Sequence, residues 1–418
     1  MRNLDKDEVE PGLQRRLCTS DAVVIGLGAM IGAGLFSAFT PAASAAGSAL
    51  LVSLVLAAAI AYVNARSSAQ LAARYPTSGG TYAYGREVLG PWAGFIAGWG
   101  FVIGKIASAA VMALTFATYT VPEGWVKPVA ALAVAVLVGV NCLGVTRTAA
   151  AARIIVATVL VLLGVVVAVI LGGDQDPPLH IAGPGNGVFG VLQGAGLLFF
   201  AFAGYARIAT LGEEVRNPAR SIPRAIGIGL GIIVVLYAAV AVVLLNVLGA
   251  GGIAQSAKPL AVALGNSWAL PLVQAAAALA SLGALLALIA GIGRTSMAMA
   301  REHDLPHYFS RIHPRFSTPY RAELAVGAIV IVLVAFLDLR TAIGFSSFGV
   351  LVYYLIANIA ASKQPAGERL GPAWLGVAGA MGCVLLVATL PFGAVAGGLA
   401  MFAVGIGYRA ARLWFTSR

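Results

Sequence analysis

Two cationic residues, Lys105 and Arg207, lie within long apolar stretches of this 418-residue chain. A buried, unpaired ammonium or guanidinium is costly, so such a residue is functional unless its side chain reaches water by snorkelling. All sixteen Asp and Glu residues lie in polar segments or at the ends of apolar stretches, so neither cation has an evident acidic partner. The deep position of Lys105 favours a functional role. Arg207 lies within a turn or two of the end of its stretch, so snorkelling is an alternative for it.

Glycine clusters interrupt two of the apolar stretches. Residues 26–34 contain four glycines in nine positions, and Gly204 interrupts the run 199–207. Close helix packing is the alternative explanation, and Gly28 and Gly32 have the small-xxx-small spacing that such packing uses.

The paired positions of these clusters, in the first and sixth stretches, are a sequence signature of a transporter site. An unwound segment exposes backbone N–H and C=O groups, and the helix dipole adds partial charge to them. Free N–H groups would bind an α-carboxylate and free carbonyls an α-ammonium, because glycine permits unusual dihedrals and close approach. The clusters therefore predict a site for a zwitterion.

Twelve apolar segments are expected to position these residues. The chain is 60% hydrophobic and 10% charged, whereas soluble domains carry about 25% charged residues. Each spanning helix needs roughly 20 apolar residues. The predicted spans are 20–40, 48–64, 91–118, 127–143, 150–172, 187–211, 224–249, 269–297, 322–338, 341–361, 373–390 and 392–414.

The net charge is +11, and the positive residues are distributed unevenly between the two sides of the predicted topology. Of the 27 Lys and Arg residues, 22 lie in the tails and the even-numbered loops, against three in the opposite loops. Positive charge accumulates on the cytoplasmic side of a membrane protein. We therefore expect a plasma (inner) membrane protein with both termini cytoplasmic. Its basic residues face lipid headgroups, and no nucleic acid partner is implied.

Three motifs resemble the amino acid-polyamine-organocation superfamily of permeases. They are Gly-Ala-Met-Ile-Gly-Ala-Gly at 28–34, the segment from Tyr75 to Trp99, and the sixth span continued through 213–223. The resemblance implies a leucine-transporter-like fold with twelve helices, of which the first and sixth are discontinuous. The implied parts are an N-terminal tail 1–19, five-helix repeats 20–172 and 187–361, two final helices 373–414 and a tail 415–418.

The resemblance also implies which residues surround an amino acid substrate. An aromatic residue of the sixth span, Phe202 or Tyr205, would cover the site. Glu213 and Glu214 would order an inner gate, although a solvated helix end before a proline explains them equally well. The implied substrate-binding residues are Met30, Ile31, Gly32, Ala33, Gly34, Phe202, Ala203, Gly204 and Tyr205.

Departures from the family pattern concern charge. Relatives that carry cationic amino acids often have an acidic residue after the sixth-span glycine, where this chain has Ala206 and Arg207. Some relatives have a lysine in the fifth span in place of sodium, but Thr158 and Val159 lie near that place here. Lys105 matches a third-span position that faces substrate in arginine-exchanging relatives.

Two roles are open for Lys105. It would repel cationic side chains and accept a carboxylate, or it would carry a coupling proton, because a buried lysine amine loses its proton more readily. With Arg207 it is therefore a candidate coupling residue. The first role predicts neutral or acidic amino acid substrates, and a permease for cationic amino acids, polyamines or other amines is the alternative.

Other functional classes fit the sequence less well. A channel would need repeated carbonyls or rings of charge. An enzyme would need a catalytic constellation, and no H-E-x-x-H is present. Without a G-x-x-x-x-G-K-[ST] motif, neither direct use of ATP nor an ATP-binding subunit is implied. We expect no cofactor and no metal site, with H⁺ or Na⁺ as the possible coupling ion.

Overall fold

The computed structural model describes residues 17–75, 79–144, 149–173, 187–212, 214–316 and 318–416. Apart from one backbone bridge between Leu17 and Val215, these residues form helices and their connections. The α-helices are α1 Thr19–Ser37, α2 Phe39–Ala46, α3 Leu50–Arg74, α4 Thr81–Leu89, α5 Pro91–Thr120, α6 Val126–Cys142, α7 Ala149–Gly172, α8 Gly187–Phe202, α9 Ala206–Ala209, α10 Pro218–Gln255, α11 Pro259–Leu264, α12 Leu270–Arg301, α13 Tyr320–Phe336, α14 Leu339–Lys363, α15 Ala373–Thr389 and α16 Phe392–Thr416.

Helices coincide with all twelve predicted apolar segments. In the described part of the chain, ten helical stretches are long and apolar enough to cross a membrane. The remaining two segments correspond to α13 and α15, which have 17 residues each, slightly fewer than the roughly 20 of a typical span. The protein is therefore an all-helical, multi-pass membrane protein.

The second predicted segment ends at residue 64, whereas α3 continues to Arg74. Half of the ten added residues are polar, and this lowered hydropathy ended the predicted span before them. Among them, the buried side chain of Gln70 finds hydrogen-bond partners inside the protein. Gln70 Nε2 donates to Gln364 Oε1 at 2.6 Å, and at the predicted boundary itself Asn64 Oδ1 accepts from Asn358 Nδ2 at 2.6 Å. Buried amides are tolerated when they are hydrogen-bonded in this way.

Helix α5, which carries Lys105, is buried along nearly its whole length and packs against α14, α12 and α4. Small residues allow the closest of these contacts. A Cβ atom on Gly349 of α14 would lie 2.7 Å from the carbonyl oxygen of Gly100. Such approach is typical of helix pairs in membranes, and it holds α5 at the centre of the bundle.

Both glycine clusters coincide with irregular backbone. In α1, Gly32 has φ −19° and ψ −134°, which are not helical values. The sixth span consists of α8, a 3-10 turn at Ala203–Tyr205 and the four-residue α9. These interruptions face one another, because a Cβ atom on Gly204 would lie 2.6 Å from the carbonyl group of Ala29.

A buried ionic cluster joins α4, the end of α12 and α16. Asp304 accepts hydrogen bonds from Tyr82 Oη at 2.9 Å, from Arg86 Nη1 at 3.3 Å and from Arg409 Nη1. The Arg409 guanidinium also lies 4.8 Å from the ring centre of Trp92. Asp304 thus holds α16 against α4 and the end of α12. The charge distribution predicts that this end of the bundle is cytoplasmic.

Asp304→Asn is expected to lower the free energy of unfolding by about 3 kcal/mol, because it leaves buried Arg409 without its counter-charge. A lower midpoint of thermal unfolding in detergent would show this. Glu87→Gln is the matched control, since Glu87 is exposed and its loss should leave the midpoint unchanged. Equal midpoints for both variants would mean that the cluster contributes nothing to stability.

Candidate functional site

Two adjoining cavities lie beside the interrupted spans. The larger has a volume of about 450 Å³ and is bounded by α1, α7, α12 and α13. The smaller has a volume of about 50 Å³ and is bounded mainly by α5, α9 and α12. Residues from both interrupted spans contribute to both cavities, and the shared lining residues are Ala29, Arg207, Ala287 and Arg294.

The larger cavity reaches one end of the bundle. Its lining includes Leu17, which precedes α1, Gly144 of the α6–α7 connection and Thr318 of the α12–α13 connection. All three lie in segments that the charge distribution predicts to be cytoplasmic. The smaller cavity, which Lys105 lines, therefore adjoins a larger cavity that reaches this end of the protein.

One face of α5 forms a wall of the smaller cavity. Phe101, Lys105, Ser108 and Met112 line it, and their spacing of three and four residues is that of one helix face. Ser108 Oγ lies 2.6 Å from Ser346 Oγ of α14. The wall is thus fixed in position by its contact with α14.

Lys105 is 5% exposed, and its Nζ donates to the carbonyl oxygen of Ala203 at 3.1 Å. Ala203 begins the 3-10 turn that follows α8. The carbonyl end of a helix carries partial negative charge, which stabilises a nearby cation. Tyr354 Oη donates to the same oxygen at 3.3 Å. The lysine ammonium therefore already occupies a place at which a zwitterion's ammonium was expected.

A second tyrosine joins the two interruptions. Tyr237 Oη lies 2.6 Å from the carbonyl oxygen of Met30 and 3.1 Å from that of Ala201, and donates to them. The sequence predicted exposed peptide groups here. Instead, side chains of α5, α10 and α14 hydrogen-bond three of the carbonyls, because a buried carbonyl without a partner is costly.

Two arginines lie where the cavities meet. Arg294 Nη1 forms an ion pair with Glu214 Oε1 at 3.3 Å. Arg207 Nη1 donates to Thr210 Oγ1 at 3.2 Å, and its Nε has no hydrogen-bond partner among the described residues. Among the described residues, Arg207 therefore has no acidic ion-pair partner, as the sequence indicated.

The segment after the sixth span holds the start of α1. Leu17 N donates to the Glu214 carbonyl at 3.0 Å, and Arg216 N donates to the Leu17 carbonyl at 2.8 Å. Asn217 then adopts a left-handed conformation, with φ 50°, immediately before Pro218 starts α10. Glu213, the other predicted gate residue, lies outside the described residues.

The predicted site residues fall into two groups. Ile31, Lys105, Gly204, Arg207 and Glu214 line a cavity. The others that the structure describes pack behind the walls: Met30, Gly32, Gly34, Phe202, Ala203 and Tyr205. The side chain of Ala33 lies outside the described residues.

Neither predicted lid aromatic covers a cavity here. Phe202 packs edge-on against Tyr237, with ring centres 5.2 Å apart. Tyr205 stacks on Tyr354 at 5.0 Å. Both rings are fully buried, so this structure places them as packing residues.

Sequence reasoning missed several lining residues. Ser108 and Met112 follow from Lys105 by helical spacing, which was available as a signal. Arg294, which the sequence analysis did not single out, lies within α12 and lines both cavities. Glu323, in the first turn of α13, is 2% exposed and lines the larger cavity. Its position at a span end concealed its burial.

Comparison with known proteins decides the family. The model of a family described as amino acid permease matches residues 17–406, which is nearly the whole described chain. The chain belongs to the amino acid permease family. The superfamily resemblance is thereby confirmed.

The permease is 53% identical over 424 residues to an uncharacterized transporter of Mycobacterium tuberculosis, covering 100% of this chain and 96% of the relative. A relative from Mycobacterium bovis gives the same values. The vacuolar cationic amino acid transporter 2 of Arabidopsis thaliana is 32% identical over 376 residues, covering 83% of the permease and 59% of the plant protein.

These relatives and the apolar helices make the permease a membrane transporter rather than an enzyme. In such proteins, irregular backbone at membrane depth occurs where it is buried in protein or lines a cavity. The interruptions at Gly32 and Ala203–Tyr205 meet this condition.

Proposed function

We propose that the permease is a secondary transporter that moves neutral or acidic amino acids across the plasma membrane by alternating access. The observation that carries this proposal is the pair of facing interruptions beside two adjoining cavities. Broken helices at matching positions and a site between them characterise inverted-repeat transporters. We accordingly assign the twelve helices to repeats 20–172 and 187–361, followed by the helices of 373–414.

The proposed conformation faces the cytoplasm, where both termini would lie. The larger cavity includes loop residues of that side. At the opposite end, Phe36 packs edge-on against Tyr119 with ring centres 5.5 Å apart, and Tyr119 Oη donates to the Phe36 carbonyl at 3.1 Å. Ser37 Oγ and Thr115 Oγ1 lie 2.8 Å apart beside them. These contacts between α1 and α5 would separate for the site to face outward.

Coupling to protons or exchange for a second amino acid would drive the cycle, with Lys105 as a proposed proton carrier. The hydrogen bond that its Nζ donates to a carbonyl supports this role, because no carboxylate of the described residues fixes the charge of the ammonium. Sodium is the alternative coupling ion.

Transport of cationic amino acids is the second candidate. The Arabidopsis relatives carry that name at 27–32% identity. The cations at the smaller cavity oppose it, since like charges repel.

Reconstitution into liposomes tests the proposal. We expect saturable uptake of at least one neutral or acidic amino acid, increased by an inward proton gradient or by internal amino acid. Bound substrate should also raise the unfolding temperature by mass action. Folded protein that neither takes up nor is stabilised by any of the twenty amino acids would refute it. Unitary currents in bilayer recordings would instead indicate a channel.

A further inference from the structure

The smaller cavity has an uneven charge distribution. Three cations, Lys105, Arg207 and Arg294, line it. Among the residues that the structure describes, no Asp or Glu does so. Glu214 and Glu323 line the larger cavity, to which Arg207 and Arg294 also contribute.

Within the part of the chain that the structure describes, one of the three cations has an acidic partner at an ion-pair distance. Arg294 pairs with Glu214 at 3.3 Å. Lys105 donates to a carbonyl and Arg207 to a hydroxyl, and neither acceptor carries a full charge. Among the described residues, neither of these two cations is therefore paired with a counter-charge.

Burying a charge without a counter-charge is unfavourable, and a ligand that supplies the counter-charge removes that penalty. A guanidinium suits a carboxylate because its planar N–H groups match the two oxygens. The unpartnered Nε of Arg207 is available for such a contact. A cationic side chain would add another positive charge to the same place.

We propose that the substrate is an amino acid with a side-chain carboxylate, and that Arg207 and Lys105 bind that carboxylate. This inference rests on the proposed amino acid transport and narrows its substrate class. It also separates the permease from the plant relatives named as cationic amino acid transporters. The same cations would attract an inorganic anion, so the test distinguishes chloride from a substrate carboxylate.

Binding of L-glutamate and its near-isostere L-glutamine to the purified full-length protein tests the proposal. We expect glutamate to bind at least about tenfold more tightly than glutamine, about 1.4 kcal/mol, with or without chloride. L-lysine should not compete. Because this comparison uses the wild-type protein, it does not depend on any variant folding.

Arg207→Gln should reduce the glutamate preference at least tenfold, whereas Arg207→Lys should retain part of it because the charge remains. The control is Arg220→Gln, since Arg220 is exposed at the start of α10 and its loss should leave the preference unchanged. A monodisperse elution profile shows that each variant is folded.

Three results would overturn the inference while leaving amino acid transport intact. These are equal binding of glutamate and glutamine, tighter binding of lysine than of glutamate, and glutamine binding that requires chloride. Absence of binding by all twenty amino acids would instead refute the proposed function itself.

Discussion

Lys105→Met is expected to reduce substrate transport about 30-fold or more, because removing one partner of a buried charge interaction costs at least about 2 kcal/mol. The variant should fold. Methionine is similar in length to lysine, and the Ala203 carbonyl keeps its hydrogen bond from Tyr354 Oη at 3.3 Å. Removal of an unpaired buried ammonium also removes a desolvation cost. Uptake per folded protein, measured beside the unfolding temperature, checks both expectations.

Lys127→Met is the matched control for this variant. Lys127 Nζ also donates to a backbone carbonyl, that of Ala335 at 2.8 Å, but at an exposed position. Transport should be unchanged, since an exposed lysine far from the cavities contributes little. Equal transport by the two variants would remove Lys105 from the site.

Lys105→Met also separates the two roles proposed for Lys105, which are substrate recognition and proton transfer. Uptake of glutamate and of a neutral amino acid is measured with and without an inward proton gradient. If Lys105 carries the coupling proton, the gradient should stimulate wild-type uptake and leave the residual uptake of Lys105→Met unchanged. Proton stimulation that persists in Lys105→Met would leave the residue with substrate recognition alone.

Gly204→Ala is expected to abolish transport and lower the unfolding temperature. The added Cβ would lie 2.6 Å from the carbonyl carbon and oxygen of Ala29 and 2.7 Å from Met30 Cγ. Backbone atoms cannot rotate away as a flexible side chain can, so the two interrupted spans must separate. Overpacking of this kind costs roughly 1–3 kcal/mol. Thermal unfolding and uptake per folded protein provide the measurements.

Gly231→Ala is the matched control for Gly204→Ala, because it adds the same methyl group to a helical glycine that has open space around it. Gly231 lies in α10 with no atom within 4 Å of the added Cβ. Its replacement should raise stability by about 0.5–1 kcal/mol, because alanine favours the helix, and should leave transport unchanged. Wild-type transport by Gly204→Ala would contradict the tight contact between the interrupted spans.

The sequence located the helices well and their contacts poorly. Hydropathy reports which segments are apolar over some twenty residues, and the glycine clusters contain the irregular backbone at Gly32 and Gly204. Both signals are local. The helical spacing from Lys105 to Ser108 and Met112 is also a local signal. The cavity wall that these residues form could therefore have been predicted from the sequence.

Contacts between distant segments were not predictable in this way. Lys105 lies 98 positions from its acceptor Ala203, and Tyr237 lies 207 positions from Met30. Nothing in the residue types near Met30 indicates that a tyrosine of α10 will hydrogen-bond its carbonyl. The burial of Asp304 likewise depends on Arg409 of the last helix, which only the folded bundle brings close.

The bridge between Leu17 and Val215 has a mechanical consequence for the proposed cycle. Its two hydrogen bonds tie Leu17, just before α1, to the chain that leaves the sixth span. Paired backbone segments resist sliding past each other, so a tilt of one broken helix pulls its counterpart in the same direction. The two interrupted spans would then move together relative to α7 and α12, and neither span would move alone. This joint movement would widen or narrow the larger cavity at its loop end.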